Sequence, residues 1–368
     1  MVKINQKIVV LGTGGTIAGT AASSADHTGY TAAQIGVAQL LEGITGLKEA
    51  LQAADLAGTT TALVAEQVAQ IDSKNMDFAT MARLALRCAH HLAQPDVRAV
   101  LVTHGTDTLE ETAWFLHLVV PADLLAAKPV VMTCAMRPAT SSQADGPGNL
   151  LDAVHLALDP QACGVLVVCA GDVHSATRVQ KIRSHALNAF SSDSEDGAQP
   201  LASVQRHSTN QAVRWNASAH DLLQHNSVMA QVFAAQAAMQ LIAKEVLWPR
   251  VEMVHNHTGA TGAVVRALLA DAAVPVQGIV VAGTGNGSVS ADLEAALLSA
   301  QSSGVRVLRA SRCVWGTVSA TALDTLPCSA QSAVKTRVQM VLELAIASAT
   351  NSATNSAAKQ ELSAQVKT

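Results

Sequence analysis

The chain has 368 residues, of which 49% are hydrophobic and 14% charged, and its formal net charge is −4. This length predicts about two domains with buried cores, and the charge gives no electrostatic reason to expect a nucleic acid or an anionic membrane as partner. No apolar run approaches the roughly 20 residues of a membrane span. The few residues before the first predicted strand leave no room for a signal peptide, so we expect a cytoplasmic location.

Short apolar runs alternate with helical patterns along the chain. The runs are apolar on both faces, as is typical of strands buried inside a parallel sheet. The alternation of strands and helices therefore predicts an α/β fold with parallel sheets. In chain order the predicted strands are KIVVLG, AVLVTH, KPVVMTCA, GVLVVCA, VEMVHNH, GIVVAGTG and VRVLRAS. The predicted helices include DFATMARLALRCAHHLA, TLEETAWFLHLVV and ADLEAALLSAQSSG.

The chain divides near its middle, where SSDSEDGAQP is polar and rich in small residues, as loops are. We predict an N-terminal domain over residues 1–200, a linker with an extra helix over 201–249 and a second α/β domain over 250–347. The extra helix covers 229–244. It either packs on the linker or forms a contact between subunits, and the sequence leaves both interpretations open. Over 348–368 the tetrad SATN occurs twice and apolar content is low, which predicts a disordered tail.

The first predicted strand ends in a loop of glycines and threonines, Gly12–Thr20. A dinucleotide fingerprint would need a third glycine where the chain has Ile17, and a Walker loop would need a lysine that this loop lacks. The loop therefore fits neither phosphate-binding motif. It either connects strand and helix through a plain turn, or it presents Thr16 as a nucleophile at that turn.

Two further loops place polar residues at strand ends. In HGTDTLEETAWFL, Thr106 and Asp107 precede a helix, and Thr108 begins the spacing of a capping box. In AMRPATSSQADGPGNLLDAV, Arg137 and Asp145 precede another helix, and the Asp-Gly-Pro step is typical of a turn. Caps and turns alone explain much of both loops. Because ligands of parallel sheets bind beyond the carboxyl ends of the strands, however, these loops are also the predicted site.

These motifs together resemble the bacterial-type L-asparaginases of the asparaginase/glutaminase family. TGGTIAG and HGTDTLEETAWFL resemble its two signature segments, and AMRPATSSQADGPGNLLDAV, GVLVVCAGDVHSATRVQK and GIVVAGTGNGSVS follow in order. The resemblance covers about residues 8–347. It implies mostly parallel sheets flanked by helices, in a larger N-terminal domain that carries the active site and a smaller Rossmann-like C-terminal domain. It also implies hydrolysis of L-asparagine to L-aspartate and ammonia through an acyl-enzyme, with no metal or organic cofactor.

The resemblance assigns a role to each site residue. Thr16 corresponds to the nucleophile and Tyr30 to the tyrosine of the loop that follows it. Thr106, Asp107 and Lys181 correspond to a second triad, in which the lysine takes part in proton transfer and the aspartate orients it or binds the substrate's α-ammonium. We expect these five residues to be catalytic. The implied substrate-binding residues are Ser73, on the α-carboxylate, with Lys74, Gly105, Thr106 and Asp107.

The chain departs from the family pattern at several positions. Lys74 stands where many relatives have a glutamine that helps to bind the carboxylate. Gly259 stands where several relatives have an asparagine, which reaches the active site from a neighbouring subunit. The family's interfacial glutamate, which binds the substrate amine, is also missing, and the only acidic residue nearby in this sequence is Asp324. The stretch 221–248 is also longer than expected. The resemblance implies a homotetramer, a dimer of dimers, and the departures bear on substrate affinity and selectivity more than on the chemistry.

Two other functions remain open on the sequence. The first is a dual glutaminase–asparaginase, and the second is a non-catalytic relative that binds an amino acid. The joint presence of Thr16, Tyr30, Thr106, Asp107 and Lys181 argues against the second. A nucleotide-dependent dehydrogenase is disfavoured because the third glycine of the fingerprint is missing.

Overall fold

The computed structural model describes residues 4–26, 28–54, 59–193, 199–205, 212–216, 235–243 and 247–365. The chain divides into two compact units, Met1–Met239 and Gln240–Thr368. The strands are β1 Ile4–Gly14, β2 Thr20–Ala21, β3 Tyr30–Thr31, β4 Thr59–Ile71, β5 Val97–Thr103, β6 Val130–Thr133, β7 Val165–Cys169, β8 Asp172–Ser175, β9 Gln180–Lys181, β10 Phe190–Ser191, β11 Ala202–Val204, β12 Val213–Trp215, β13 Val251–His255, β14 Gly278–Gly283 and β15 Arg306–Ser311. The helices are α1 Val37–Glu42, α2 Leu47–Ala54, α3 Phe78–Leu92, α4 Leu109–Val119, α5 Ala122–Ala127, α6 Gly146–Leu158, α7 Ala235–Ile242, α8 Ala263–Ala270, α9 Ala291–Ser302 and α10 Ala333–Gln365.

The first unit is built on one large sheet, in the order β12-β11-β8-β7-β6-β5-β1-β4. The strands from β4 to β7 in that order run parallel, whereas β8, β11 and β12 extend the sheet in antiparallel fashion. The predicted mostly parallel sheet is therefore confirmed. The strands β11 and β12 lie within 201–249, where the sequence predicts a linker. Each has three residues, too few for a recognisable apolar run.

The core of this unit follows from the apolar runs. In β1 the four residues from Ile8 to Leu11 are at most 2% exposed, because helices cover both faces of the sheet. Ile8 and Val10 join a cluster with residues of α6, and α6 packs on β5 and β6. Side chains alternate along a strand, so Val9 and Leu11 face the other side. Two further helices cover the sheet: α3 packs on β4 and β5, and α4 packs on β7.

The edge strand β4 is absent from the predicted strands. Its sequence, TTTALVAEQVAQI, mixes polar and apolar residues, and Val64 is 40% exposed. An edge strand needs no continuous apolar run, since only part of its surface is buried. It still pairs in parallel with β1, which brings Ile71 opposite Gly14.

The second unit has its own sheet, three parallel strands in the order β13-β14-β15. All three strands coincide with predicted ones. The helices α8 and α9 pack together, and their apolar residues share a cluster with Val254, Ile279 and Val281 of the sheet. The last helix, α10, packs against all three strands. The separate, smaller C-terminal α/β domain is therefore confirmed.

Two predictions concern the chain between and after these sheets. The helix α7 lies inside the predicted helix 229–244, whereas residues 217–234 and 244–246 lie outside the described residues. At the other end α10 runs on to Gln365, through the segment for which we predicted disorder. The structure differs there, and the five alanines of 348–368 are the residues of this segment that most favour a helix.

Candidate active site

Three neighbouring strands end together at the site, because β5, β1 and β4 are adjacent and parallel. Glycines allow the chain segments that follow them to approach closely. A Cβ on Gly15 would lie 2.3 Å from the Cα of Gly105, and a Cβ on Gly105 would lie 2.4 Å from the Oγ of Ser73. Gly15 also has a φ of +80°, a conformation that favours glycine. The opening glycines thus serve turn geometry and close approach.

Thr16 lies in the turn that follows β1. It begins a short 3₁₀ helix, Thr16–Ala18, and is only 7% exposed. Its Oγ1 lies 2.7 Å from the hydroxyl oxygen of Tyr30, within hydrogen-bond distance. Tyr30 is carried by the small hairpin of β2 and β3, which places it beside the turn. The hydroxyl of Thr16 therefore has a potential proton-transfer partner 14 residues away in sequence.

The second group comes together from distant parts of the chain. The Nζ of Lys181, on β9, donates hydrogen bonds to the Oγ1 of Thr106 at 2.8 Å and to the Oδ1 of Asp107 at 2.7 Å. The lysine side chain is 18% exposed, whereas that of Asp107 is 51% exposed. The ammonium is thus largely enclosed, and the carboxylate reaches solvent. This is the geometry expected for the Thr-Asp-Lys triad.

The residues predicted to bind substrate occupy different environments. Ser73 is buried, and its Oγ accepts a hydrogen bond from the backbone N–H of Asp107 at 3.2 Å. Lys74 is exposed and pairs with Asp72 at 3.0 Å, and the hydrogen bond that its ammonium donates to that carboxylate raises the pKa of Lys74. Thr108 donates to the carbonyl of Ser73 at 2.8 Å and makes no cap with its side chain. The capping-box interpretation of Thr108 is therefore wrong, because its hydroxyl ties two site loops together.

His104 stands next to these residues without joining them. It is fully buried, and burial lowers the pKa of His104 to about 4. Its Nδ1 lies 2.7 Å from the carbonyl oxygen of Gly105, and since a carbonyl only accepts, this nitrogen is the protonated one. The imidazole is therefore neutral at physiological pH and helps to fix the loop.

A cavity of about 370 Å³ joins the two groups. All five predicted catalytic residues line it, whereas Ser73, Lys74 and Gly105 are not among its lining residues. The wall also contains five residues to which neither the motifs nor the family resemblance assign a role: Thr28, Met136, Arg137, Ser184 and His185. Ser184 and His185 follow Lys181 by only three and four positions, and that proximity is the signal that could have found them.

The second unit bears on two of the departures. Asp324 pairs with the buried Arg309 at 2.5 Å and accepts two hydrogen bonds from Thr321. Its carboxylate is thus committed inside its own unit and is a poor substitute for a substrate-binding glutamate. Gly259 has a φ of +73°, and no atom lies within 4 Å of the position of a Cβ there.

The arrangement defines a class of enzyme. Two threonine hydroxyls, one beside a tyrosine and one beside a lysine–aspartate pair, share a cavity at the carboxyl edge of an α/β sheet. Such groups suit nucleophilic attack on an amide or ester carbonyl, with a nearby group to move the proton. Among the described residues, no group of three or more His, Cys, Asp or Glu side chains could hold a metal ion, and no helix is long and apolar enough to span a membrane.

Comparison with known proteins gives the family. Residues 7–246 match the family described as Asparaginase, N-terminal, and residues 250–355 match the Glutaminase/Asparaginase C-terminal domain. The chain is 35% identical over 309 residues to L-asparaginase 2 of Bacillus subtilis, covering 83% of this chain and 72% of that protein. It is 35% identical to the glutaminase-asparaginase of Pseudomonas fluorescens, covering 83% of this chain and 75% of that protein.

A solved structure agrees with these matches. The crystal structure of a probable cytoplasmic L-asparaginase from Campylobacter jejuni superposes with a TM-score of 0.76 at 31% identity, covering 92% of this chain and 95% of that one. The chain belongs to the asparaginase/glutaminase family and is an amidohydrolase. The resemblance inferred from the sequence motifs is confirmed.

Proposed function

We propose that the chain is an L-asparaginase that hydrolyses the side-chain amide of L-asparagine to L-aspartate and ammonia through an acyl-enzyme on Thr16. The observation that carries the proposal is the cavity that Thr16 and Tyr30 share with Thr106, Asp107 and Lys181. The family membership and the two relatives named L-asparaginase 2, from Bacillus subtilis and Escherichia coli, support the choice of substrate.

The first half of the reaction uses the Thr16–Tyr30 contact. The Oγ1 of Thr16 attacks the amide carbon while its proton passes to the neighbouring Tyr30 hydroxyl oxygen, which gives up its own proton toward the leaving nitrogen. Backbone N–H groups of the turns at Thr16 and Thr106 face the developing oxyanion. Losing one such donor typically costs about 10²–10³ in kcat. The carbon–nitrogen bond then breaks, the nitrogen takes the proton, and ammonia leaves.

The second half releases the product. A water molecule attacks the ester on Thr16 and passes one proton to the Asp107 carboxylate. The Lys181 ammonium gives a proton through the Thr106 hydroxyl to the departing Thr16 oxygen and takes one back from Asp107, so that aspartate and the free threonine are restored. The ammonium of Lys181 is held by two hydrogen bonds, which keeps it next to the reacting atoms. The half-exposed carboxylate of Asp107 also has capacity left for the α-ammonium of the substrate. Ser73 remains the proposed ligand of the α-carboxylate.

Variants of Thr16 test this assignment. Thr16→Ala should abolish ammonia release from asparagine while leaving the melting temperature and asparagine binding by calorimetry close to those of the wild type. Thr16→Ser keeps a hydroxyl and should retain part of the activity. Mass spectrometry of acid-quenched enzyme should locate the acyl group on Thr16. An acyl group on Thr106, or near-normal turnover by Thr16→Ala, would contradict the proposal.

Glutaminase activity is a second candidate, favoured by the relative named glutaminase-asparaginase. One additional methylene in an apolar pocket usually changes kcat/KM by about 10- to 200-fold. Ammonia release from asparagine and from glutamine, measured side by side, decides between a selective and a dual enzyme. Saturable binding of either amino acid with no ammonia release would instead favour the non-catalytic relative.

Assembly and location are proposed on the same basis. We infer a homo-oligomer, a dimer of dimers, as the family pattern implies. This chain retains the family's second-unit motifs, GIVVAGTGNGSVS and RASRCVWGTV, and closed symmetry is common in enzymes. Light scattering over a concentration series tests this, and a fully active monomer would contradict it. A cytoplasmic location is supported by the Campylobacter jejuni structure, whereas a relative from Haemophilus influenzae is described as periplasmic. Fractionation of the source cells decides between them.

A further inference from the structure

One part of the cavity wall has no role in the proposed chemistry. Five of the lining residues act on the reacting groups, and the others face the same space. Among these others, Arg137 carries a permanent positive charge. A guanidinium inside a reaction cavity is costly unless it has an anion to bind or remains hydrated. The wall beside the reacting groups therefore contains a cation that hydrolysis of asparagine does not need.

The backbone that carries Arg137 is fixed by hydrogen bonds. The two carboxylate oxygens of Asp145 accept from the backbone N–H of Met136 and from that of Arg137, both at 2.9 Å. Asn149, which is 1% exposed, donates to the same carboxylate at 3.2 Å and to the carbonyl of Cys134 at 3.0 Å. The segment after β6 is thus braced against the start of α6, so the wall is preorganised.

The side chain of Arg137 is oriented but not neutralised. Its Nη1 donates to the backbone carbonyl of Gln143 at 3.1 Å and to the Oε1 of Gln143 at 2.8 Å. Neither acceptor is charged. Within the described ranges, no carboxylate pairs with Arg137, and its Nε and Nη2 have no hydrogen-bond partner. A guanidinium held by one edge, with donors free on the other, is suited to binding a planar carboxylate.

We propose that the enzyme also hydrolyses β-aspartyl amino acids, in which the side-chain amide nitrogen of asparagine carries a substituent that ends in a carboxylate. This proposal rests on the proposed function, since it uses the same nucleophile. With the amino-acid end of the substrate at Asp107 and its amide carbon at Thr16, the leaving amine faces the remaining wall, where Arg137 binds its carboxylate. A cavity of about 370 Å³ lies in the size range of pockets that enclose ligands larger than one amino acid.

The chemistry balances as it does for asparagine. The Thr16 oxygen bonds to the β-carbonyl carbon, the carbon–nitrogen bond breaks, and the nitrogen takes the threonine proton and leaves as the amine of a free amino acid. Water then cleaves the ester to give aspartate. The leaving group differs from ammonia only in the substituent that reaches Arg137.

The experiment compares three substrates: asparagine, β-aspartyl-glycine, and the ethylamide of the aspartate side chain, which has a similar length but no carboxylate. For the wild type we expect kcat/KM for β-aspartyl-glycine to exceed that for the ethylamide by about 10- to 100-fold, the usual contribution of hydrogen bonds between charged groups. In Arg137→Met this preference should disappear, while asparagine turnover stays within a few-fold of the wild type. Arg183→Met is the matched control, because Arg183 is an exposed arginine outside the cavity lining.

Each outcome bears on the proposal. It is overturned if the wild type turns over asparagine but releases no glycine from β-aspartyl-glycine, or if it cleaves the ethylamide equally well. It is also overturned if Arg137→Met raises KM for asparagine as much as for β-aspartyl-glycine, since the guanidinium then binds the α-carboxylate. A wild type that hydrolyses neither substrate contradicts the proposed function itself. If Arg137→Met does not fold, Arg137→Gln replaces it, and the wild-type comparison needs no variant.

Discussion

Replacing Lys181 by methionine separates its catalytic role from its contribution to stability. The substitution keeps the aliphatic stem and removes two hydrogen bonds, to Thr106 at 2.8 Å and to Asp107 at 2.7 Å. Loss of a positioned proton-transfer group typically lowers kcat by about 10²–10⁴-fold. The carboxylate left behind is 51% exposed, so water solvates it. An ion pair with an exposed partner contributes about 1 kcal/mol or less to stability.

The assay measures both quantities on the same variant. Ammonia release from asparagine gives kcat and KM, and thermal unfolding gives Tm. We expect Lys181→Met to lose at least about 100-fold in kcat and only about 2–4 °C in Tm. Lys181→Arg keeps the positive charge but cannot release a proton at neutral pH, so it should retain stability without restoring activity.

A second lysine provides the control. Lys74 is 66% exposed and pairs with Asp72, outside the cavity lining. Lys74→Met should therefore leave kcat close to the wild-type value, and a rise in KM alone would support the role in carboxylate binding implied by the family pattern. A kcat for Lys181→Met within a few-fold of the wild type would refute the reasoning. A large fall in Tm would show that solvation of Asp107 had been overestimated.

Three more predictions test other parts of the chain. Asp107→Asn should lower kcat because the carboxylate holds Lys181, and it should raise KM for asparagine because the carboxylate is proposed to bind the α-ammonium. An unchanged KM in initial-rate assays would contradict the role in binding the α-ammonium. The hydrogen bond from Arg87 is the main cause that lowers the pKa of Glu66 to about 2, so this pair stabilises the fold above pH 4.5 and loses that contribution as pH falls toward 2. Because both partners are partly exposed, Glu66→Gln should cost about 1 kcal/mol in urea unfolding at pH 7 and much less near pH 2, and an equal cost at both would contradict the linkage. Gly259→Asn should fold normally, because asparagine tolerates a φ of +73° and the site is open, and it should lower KM for asparagine if this position reaches a neighbouring site; an unchanged KM excludes that contact.

The sequence alone predicted the buried framework and, through the family resemblance, the candidate reacting groups. Strands such as β1 and β14 are buried on both faces, so they require continuous apolar runs that are legible without a structure. The turn at Thr16 needs a glycine because Gly15 has a φ of +80°. Both constraints act on a single residue or on the composition of one segment. They leave a pattern in the sequence for that reason.

Only the tertiary structure decided which groups meet. Lys181 reaches Thr106 across 75 positions, which depends on strand order and on the hairpin of β9 and β10, neither of which leaves a local pattern. The same holds for Asp324, which was a candidate for the substrate amine until its pairing with Arg309 was known. Two other features were likewise not predicted from the sequence: the strand β4 at the edge of the sheet, and the hydrogen bond from the Thr108 hydroxyl to the carbonyl of Ser73. A polar side chain does not encode its partner, because hydrogen bonds and ion pairs form with whatever group the fold brings within about 3 Å.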